Sequence, residues 1–232
     1  MQVFYSQQIN LEKTILSEEE SHHATHVLRM RIGEKLLIMN GNGELFSGII
    51  QEIGKKNTSI THLELVRKEE PPAHKIILYI SPLKNTDRLE WLVEKATELG
   101  VSEIYPMISK NSVSKKINAK RLQQIALSAS KQCLRLYIPV IHELMAIKDL
   151  RTDVNAVSVF GFCGAIEKKK INHIDFQKAN INVLIGPEGD FTIEEANELI
   201  AKKILPVDLG NNRLRSETAA MFALSSIKFQ LL

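Results

Sequence analysis

Cysteine is scarce in this chain of 232 residues, which contains only Cys133 and Cys163. Two cysteines so far apart cannot form the disulfide framework that stabilises small secreted domains. Both lie in apolar surroundings, so we expect buried, reduced thiols. No spacing of cysteine and histidine matches a structural zinc site, and we expect no bound metal.

Long hydrophobic runs are missing as well. No apolar stretch is long enough to span a bilayer, and residues 1–5 do not begin a signal peptide. An apolar content of 44% and a charged content of 25% are typical of soluble globular proteins. The length suits one large domain or two modest ones. We therefore expect a cytoplasmic protein that has no membrane partner.

Net charge is low, at +3, which by itself is a weak indication of nucleic-acid binding. The distribution is more informative, because no acidic residue occurs between Glu103 and Glu143. The basic residues in this gap are Lys110, Lys115, Lys116, Lys120, Arg121, Lys131 and Arg135. A solvated basic face is the ordinary explanation of such a run. A gap of this length nevertheless favours a positive patch that binds phosphates.

The first 70 residues have the pattern of a small β-rich domain. Strand patterns occur at residues 35–39, 45–50 and 59–65. Asn40-Gly41-Asn42-Gly43 joins the first two and predicts a hairpin turn. Ser17 with Glu20 predicts the start of a short helix that runs to His26. The sequence Glu-Glu-Pro-Pro at residues 69–72 is typical of a linker.

From His74 onward strand and helix patterns alternate, which predicts an α/β domain over residues 74–232 with a mostly parallel sheet. Predicted strands lie at residues 75–80, 101–107, 155–161, 181–185 and 206–209. Predicted helices begin near Asp87, Asn118, Thr192 and Ser216, and Ser216 is expected to cap the last of them. Trp91 is expected in the core. No Gly-x-Gly-x-x-Gly follows the first of these strands, so a dinucleotide-binding Rossmann enzyme is not favoured.

Two loops in the C-terminal part look suited to one ligand. Gly186-Pro187-Glu188-Gly189-Asp190 follows an apolar strand and precedes a helix, and Leu209-Gly210-Asn211-Asn212-Arg213-Leu214-Arg215 does the same. Taken singly, either loop is ordinary turn sequence. The second, however, places Arg213, Arg215 and Glu217 against a helix that looks buried, where charge is unfavourable unless it is paired or used. Loops at the carboxyl ends of parallel strands are where open α/β sheets bind ligands.

These loops and their spacing resemble the SPOUT methyltransferases, and most closely the RsmE family, which methylates N3 of a uridine in 16S ribosomal RNA. The segment Glu94-Lys95-Ala96-Thr97-Glu98-Leu99-Gly100-Val101 also resembles a family element. The resemblance implies a deep trefoil knot in the C-terminal domain and an N-terminal PUA-like RNA-binding β-barrel. It implies S-adenosylmethionine (SAM) as cofactor, a homodimer, and 16S ribosomal RNA or the small ribosomal subunit as partner.

The resemblance also assigns site residues. Cofactor-binding positions are Gly161, Ile185, Gly186, Pro187, Glu188, Gly189, Leu209, Gly210, Asn211, Leu214, Arg215, Thr218 and Ala219. RNA-binding positions are His26, Arg29, Arg31, Lys110, Lys115, Lys116 and Arg135. For Glu188, capping of the following helix is an alternative role. His22 and His26 lie four residues apart, but without a third ligand they do not indicate a metal site.

The chemistry assigns Arg215 and Glu217 to catalysis. N3–H of uridine is a weak acid, and the Arg215 guanidinium can stabilise the anion formed when its proton leaves, or else bind the phosphate of the flipped nucleotide. Glu217 can orient Arg215 or accept the proton, although a buried Arg–Glu pair that only shapes the loops is the alternative. Two positions depart from the family pattern: Asp190 replaces a common glycine, and Asn212-Arg213 replaces Arg-Ile. The competing functions are methylation of another RNA atom, such as a ribose 2′-oxygen, and a non-catalytic ribosome-assembly factor.

Overall fold

The computed structural model describes residues 2–153, 155–177 and 180–232. These residues form two compact units. The first contains the chain up to Pro71 together with Ser130–Ile138, and the second contains Pro72–Ala129 and Pro139–Leu232. The stretch 130–138 thus belongs to the first unit, although it lies far along the chain.

The first unit is built on a five-stranded sheet in the order β1-β3-β4-β5-β2. Its elements are β1 (Val3–Tyr5), β2 (Lys13–Leu16), α1 (Glu18–His22), β3 (Lys35–Met39), β4 (Glu44–Ile53) and β5 (Thr58–Lys68). β1 pairs with β3 in parallel, and the other pairs are antiparallel. Alternating residues of β3 face a core that includes Phe4, Leu36 and Ile38, as expected for a sheet with one buried face.

The hairpin turn and the short helix that the sequence predicts for this unit are confirmed. The Asn40 side chain accepts hydrogen bonds from the N–H groups of Asn42 (2.8 Å) and Glu44 (3.1 Å), which closes the β3–β4 hairpin turn. Ser17 caps α1 by accepting from the Glu20 N–H at 3.2 Å. A π-helical turn, His23–Val27, continues α1 and completes the predicted helix.

The second unit is a sheet in the order β11-β13-β10-β12-β6-β7-β8, with β9 paired to β7. Every pairing described in it is parallel. Its strands are β6 (Lys75–Ile80), β7 (Glu103–Ile108), β8 (Val140–Ile141), β9 (Met145–Ala146), β10 (Val157–Gly161), β11 (Lys169–Lys170), β12 (Asn180–Ile185) and β13 (Leu205–Asp208). Its helices are α2 (Thr86–Glu98), α4 (Ile193–Ala201), α5 (Ser216–Gln230) and the greater part of α3 (Ala119–Cys133), whose last turn belongs to the first unit. Two short 3₁₀ turns lie at Ile147–Asp149 and Ile171–His173.

Both faces of this sheet are covered. Leu78 and Val183 belong to one hydrophobic cluster, whereas their neighbours Tyr79 and Leu184 belong to another. Successive residues of a strand point to opposite faces, so the central strands β6 and β12 are apolar along their length. The predicted α/β architecture with a parallel sheet is confirmed.

Strand register fixes where the site lies. Gly161, the last residue of β10, is in register with Ile185 at the end of β12 and with Val207 near the end of β13. The three loops that follow these strands therefore leave the same edge of the sheet. The capping box predicted at the start of α4 is present, since Thr192 and Glu195 bond reciprocally at 2.9 and 3.3 Å.

Four expectations about single residues are wrong. Trp91 is 45% exposed, because the helical period places it opposite the buried Leu89 and Val93 face of α2. Cys133, in the last turn of α3, and Cys163, in a loop, are both exposed rather than buried. Ser216 does not cap α5, because it is the first helical residue and Arg215 occupies the cap without a side-chain bond.

Candidate functional site

A cavity of about 630 Å³ opens at the carboxyl ends of β10, β12 and β13. This volume falls within the range of about 300–1,000 Å³ that is usual for small-molecule sites. The residues that line it come from three loops and the start of α5: Gly161, Phe162, Cys163, Gly164, Lys168, Ile185, Gly186, Asp190, Val207, Asp208, Leu209, Gly210, Asn211, Asn212, Arg213, Leu214, Ser216 and Ala219. Both loops singled out in the sequence therefore contribute to one cavity.

The first loop is a tight turn between β12 and α4. The Asp190 N–H donates to Pro187 O at 2.9 Å, and Asp190 has a φ of 62°. That left-handed conformation suits glycine and, among other residues, asparagine and aspartate. At Gly186 a Cβ would lie 3.2 Å from the Phe191 nitrogen and 3.3 Å from its ring. A side chain at this position would force Phe191 to shift by a few tenths of an ångström.

Asp190 also links this loop to the loop after β10. Its Oδ2 accepts from the Cys163 N–H at 2.7 Å, and its Oδ1 accepts from the Phe191 N–H at 2.7 Å. Asp190 does not take part in the helix cap, because Thr192 and Glu195 already form it. The departure from the family's glycine is therefore compatible with the backbone and adds a bridging carboxylate.

The loop after β10 is the part of the site that sequence reasoning largely missed. Only Gly161 was predicted, whereas Phe162, Cys163, Gly164 and Lys168 also line the cavity. Lys168 Nζ donates to the carbonyl oxygens of Phe162 and Gly164, both at 3.0 Å, and so fixes the shape of the loop. The sequence of this loop carries no recognisable turn motif that could have identified it.

The second loop connects β13 to α5. Gly210 has a φ of 114°, which a side chain would not tolerate without strain, and its N–H donates to Asp208 Oδ1 at 2.9 Å. Asn211, Arg213 and Leu214 line the cavity beyond it. Gly210 is therefore needed for backbone conformation, since a Cβ there would meet nothing within 4 Å.

Several predicted site residues lie outside the cavity lining. The Glu188 side chain accepts from the Lys84 N–H at 2.9 Å, and Gly189 packs against Asn111. The remaining residues of this group are Pro187, Arg215, Glu217 and Thr218. Arg215 and Thr218 are exposed at the start of α5.

The expected Arg215–Glu217 pair is not present among the described residues. Glu217 is buried, with 8% of its surface exposed, and Arg88 of α2 lies beside it at an Nε–Oε1 distance of 3.6 Å. Residues two apart at a helix start point in different directions, so Arg215 and Glu217 do not face each other.

The predicted RNA-binding residues fall into two sets. In the first unit, His26 is exposed in the π-helical turn, and Arg29 and Arg31 are exposed on the segment that follows it. The rings of His22 and His26 stack at a centroid distance of 4.6 Å. No group of three or more potential metal ligands occurs among the residues that the structure describes. Arg135, also in this unit, is partly buried, and desolvation lowers its pKa to about 10.

In the second unit, Lys110, Lys115 and Lys116 are exposed on the loop between β7 and α3. This basic segment, residues 110–116, is attached to the first cavity loop. Asn111 Nδ2 donates to the carbonyl oxygens of Gly189 (3.1 Å) and Asp190 (3.0 Å). The Lys110 N–H donates to Glu195 Oε1 at 2.7 Å.

The fold and the cavity define an RNA methyltransferase. Residues 69–228 match the model of an RNA methyltransferase domain, and residues 16–61 match that of an RNA methyltransferase PUA domain. The chain is 30% identical to ribosomal RNA small subunit methyltransferase E of Rickettsia conorii over 94% of its own length and 90% of that protein. The chain belongs to the ribosomal RNA small subunit methyltransferase E (RsmE) family.

Solved structures agree with this assignment. A Porphyromonas gingivalis rRNA methyltransferase structure is 29% identical, with a TM-score of 0.88 over 99% of this chain and 98% of that one. A Legionella pneumophila methyltransferase structure that contains bound SAM is 28% identical, with a TM-score of 0.87 over 98% and 96%. Within the described residues, no helix is long and apolar enough to cross a membrane.

Proposed function

We propose that this protein binds SAM in the three-loop cavity and methylates N3 of a uridine in 16S ribosomal RNA. The observation that carries the proposal is the convergence of the two predicted loops on one cavity, in a chain of the RsmE family. The PUA-like part within residues 1–70 would bind RNA, and residues 74–232 would form the SPOUT catalytic domain.

The residues of the cavity suit SAM chemically. Ile185, Leu209 and Leu214 provide an apolar surface for an adenine ring. Asp190 and Asp208 place carboxylates in the same cavity, where they can offset the positive charge of a sulfonium, and Lys168 and Arg213 place two cations there. The backbone groups of the loops supply polar contacts at positions where glycine allows close approach.

When bound, SAM supplies the methyl group: the N3 electron pair forms the new N–C bond, and sulfur keeps the electrons of the bond that breaks. The N3 proton leaves to solvent or to a base, because uridine must be deprotonated to attack. Arg215, exposed beside the cavity at the cap of α5, is our candidate for stabilising the resulting anion. A base inside folded RNA must be turned outward to reach such a site.

Phosphate contacts would come from the two exposed basic sets. Lys110, Lys115 and Lys116 lie on a loop that is hydrogen-bonded to the cavity, and this supports their role near the target nucleotide. His26, Arg29 and Arg31 would contact RNA from the first unit. Such contacts fix the position of the RNA and make its affinity depend on salt.

We further propose a homodimer in which α5 lies at the interface. Phe222 and Phe229 on α5 are 46% and 79% exposed, and Trp91 on the adjoining α2 is 45% exposed. Exposed large apolar side chains on two helices that pack together favour a partner surface. Light scattering on the wild type and on Phe222→Asp tests this, because a concentration-independent monomer mass for the wild type would contradict a dimer.

The cytoplasm, where ribosomal subunits assemble, is the proposed location. The family's trefoil knot would involve the loops after β12 and β13. The strand order is compatible with it, since β12 lies between β10 and β6 while β13 lies beyond β10.

The function is tested by incubating the protein with labelled SAM and unmodified 16S ribosomal RNA transcribed in vitro, or small subunits lacking the modification. We expect label in one uridine, mapped to N3. Label on a ribose 2′-oxygen would indicate the alternative specificity. Absence of both SAM binding and transfer would support a non-catalytic assembly factor instead.

A further inference from the structure

The turn formed by residues 187–190 is held from two sides by elements that are distant in sequence. Asn111, from the basic segment 110–116, donates both of its described side-chain bonds to the carbonyl oxygens of Gly189 and Asp190. Asp190, from the turn itself, accepts the Cys163 N–H of the loop after β10. This short turn therefore contacts the basic segment on one side and the loop after β10 on the other.

The Asn111 contact is closely packed as well as polar. A Cβ at Gly189 would lie 3.2 Å from the Asn111 Cβ, so the Asn111 side chain packs directly against the Gly189 backbone. The neighbouring Lys110 N–H donates to Glu195, which also completes the capping box of α4. Two hydrogen bonds thus join the start of the basic segment to the turn, and a third joins it to α4.

The Asp190 contact uses both carboxylate oxygens. Oδ1 accepts from its own neighbour Phe191 and Oδ2 from Cys163, each at 2.7 Å. Its φ of 62° would be more easily adopted by glycine, which would however lose both bonds. The carboxylate therefore joins two walls of the cavity.

We propose that Asn111 and Asp190 are positioning residues that couple the basic segment to the cofactor cavity. RNA bound by Lys115 and Lys116 then orders the turn that binds SAM, and SAM orders the loop that binds RNA. Coupling of this kind is reciprocal, so each ligand raises the affinity of the other by the same factor. This inference rests on the proposed function, because it takes RNA and SAM as the two ligands.

The test is a binding cycle with S-adenosylhomocysteine, which cannot donate a methyl group, and unmodified 16S ribosomal RNA. The affinity for each ligand is measured in the presence and in the absence of the other ligand at fixed salt. The ratio of these two affinities is the coupling ratio. We expect a ratio of about fivefold or more in the wild type. In Asn111→Ala the ratio should fall to about one while S-adenosylhomocysteine alone binds within about threefold of the wild type.

Variants of Asp190 distinguish the contribution of its carboxylate hydrogen bonds from the contribution of its backbone conformation. Asp190→Gly keeps the left-handed backbone conformation and removes both hydrogen-bond acceptors. It should lower the affinity for S-adenosylhomocysteine by about tenfold. Asp190→Asn keeps one acceptor and should be intermediate. Lys203→Gly is the matched control, because Lys203 also has a φ of 62° but lies at the end of α4 outside the cavity lining. It should leave both affinities and the coupling unchanged.

Arg31→Ala, which removes a proposed RNA contact of the first unit outside the basic segment, is a second control, expected to weaken RNA binding while the coupling ratio stays at the wild-type value. A folded Asn111→Ala protein with an unchanged ratio would overturn the proposal. So would a wild type that binds both ligands independently, although that result leaves the methyltransferase function intact. Failure of the wild type to bind S-adenosylhomocysteine at all, with or without RNA, would instead overturn the proposed function.

Discussion

Glu217 in the first turn of α5 forms an ion pair with Arg88 in the first turn of α2, with 3.6 Å between Oε1 and Nε. Glu217 is buried, whereas the Arg88 side chain is 39% exposed. Ser216, which immediately precedes Glu217, lines the cavity. The pair therefore anchors the end of α5 that closes the cavity, and this gives Glu217 a structural role beside the catalytic one assigned from the sequence.

Replacing Glu217 by glutamine distinguishes these roles. If anchoring is its main contribution, Glu217→Gln and Arg88→Ala should each lower the free energy of unfolding by about 1 kcal/mol, with little further loss in the double variant. Chemical denaturation measures this. Methyl transfer should then fall by less than about tenfold. A stable Glu217→Gln protein with normal cofactor affinity and almost no transfer would assign Glu217 to proton removal.

Arg215 and Arg213 are expected to respond differently to truncation. Arg213 lines the cavity and Arg215 does not, so Arg213→Ala should weaken SAM binding while Arg215→Ala leaves it within about twofold. Loss of a guanidinium that stabilises developing charge should lower the rate of methyl transfer in Arg215→Ala by about a hundredfold or more. Calorimetry and single-turnover transfer separate binding from chemistry. The reverse pattern would indicate that Arg213, and not Arg215, contacts the target uridine.

Gly186 tests whether the first loop can tolerate a side chain. Gly186→Val should abolish SAM binding, because even its Cβ would lie 3.2 Å from the Phe191 nitrogen, and the branched carbons would displace the turn. Gly33→Ala is a suitable control. Gly33 has a φ of 90° in the first unit, so the substitution should reduce stability through backbone strain and leave SAM binding unchanged. Equal loss of binding in both variants would contradict a local effect.

The features that sequence predicted correctly are mainly those set by neighbouring residues. The bounds of β6, the hairpin turn after Met39 and the Thr192–Glu195 capping box depend on residues within a few positions of one another. The repeated strand–loop–helix pattern located the two loops, which the fold brings to one cavity.

What sequence could not supply depends on long-range contacts. Cys163 meets Asp190 across 27 residues, and Arg88 meets Glu217 across more than a hundred. The local sequence around either residue of such a pair does not predict the contact, because the two residues are brought together by the order of the strands in the sheet. The exposure of Trp91 has a related cause, since an apolar residue on the outer face of a helix is identified only when that face is known.

Cys163 offers a chemical probe of the cavity. Burial raises the pKa of its thiol above the ordinary value, and the charge and hydrogen bond of Asp190 raise that pKa further, against the opposing effect of Arg213 and Lys168. Since the thiolate is the reactive form, alkylation by iodoacetamide should be slow at neutral pH and should accelerate as pH rises towards the raised pKa. The experiment uses a Cys133→Ser background, because Cys133 is also exposed.

Two further outcomes of the alkylation experiment connect the thiol to the site. Asp190→Asn removes the negative charge, so it should lower the pKa of Cys163 and increase the rate at a given pH below that pKa. Saturating S-adenosylhomocysteine should protect Cys163, because the residue lines the proposed cofactor cavity. Mass spectrometry of the labelled protein gives both rates. Alkylation that is unaffected by a ligand shown by calorimetry to bind would place the cofactor elsewhere.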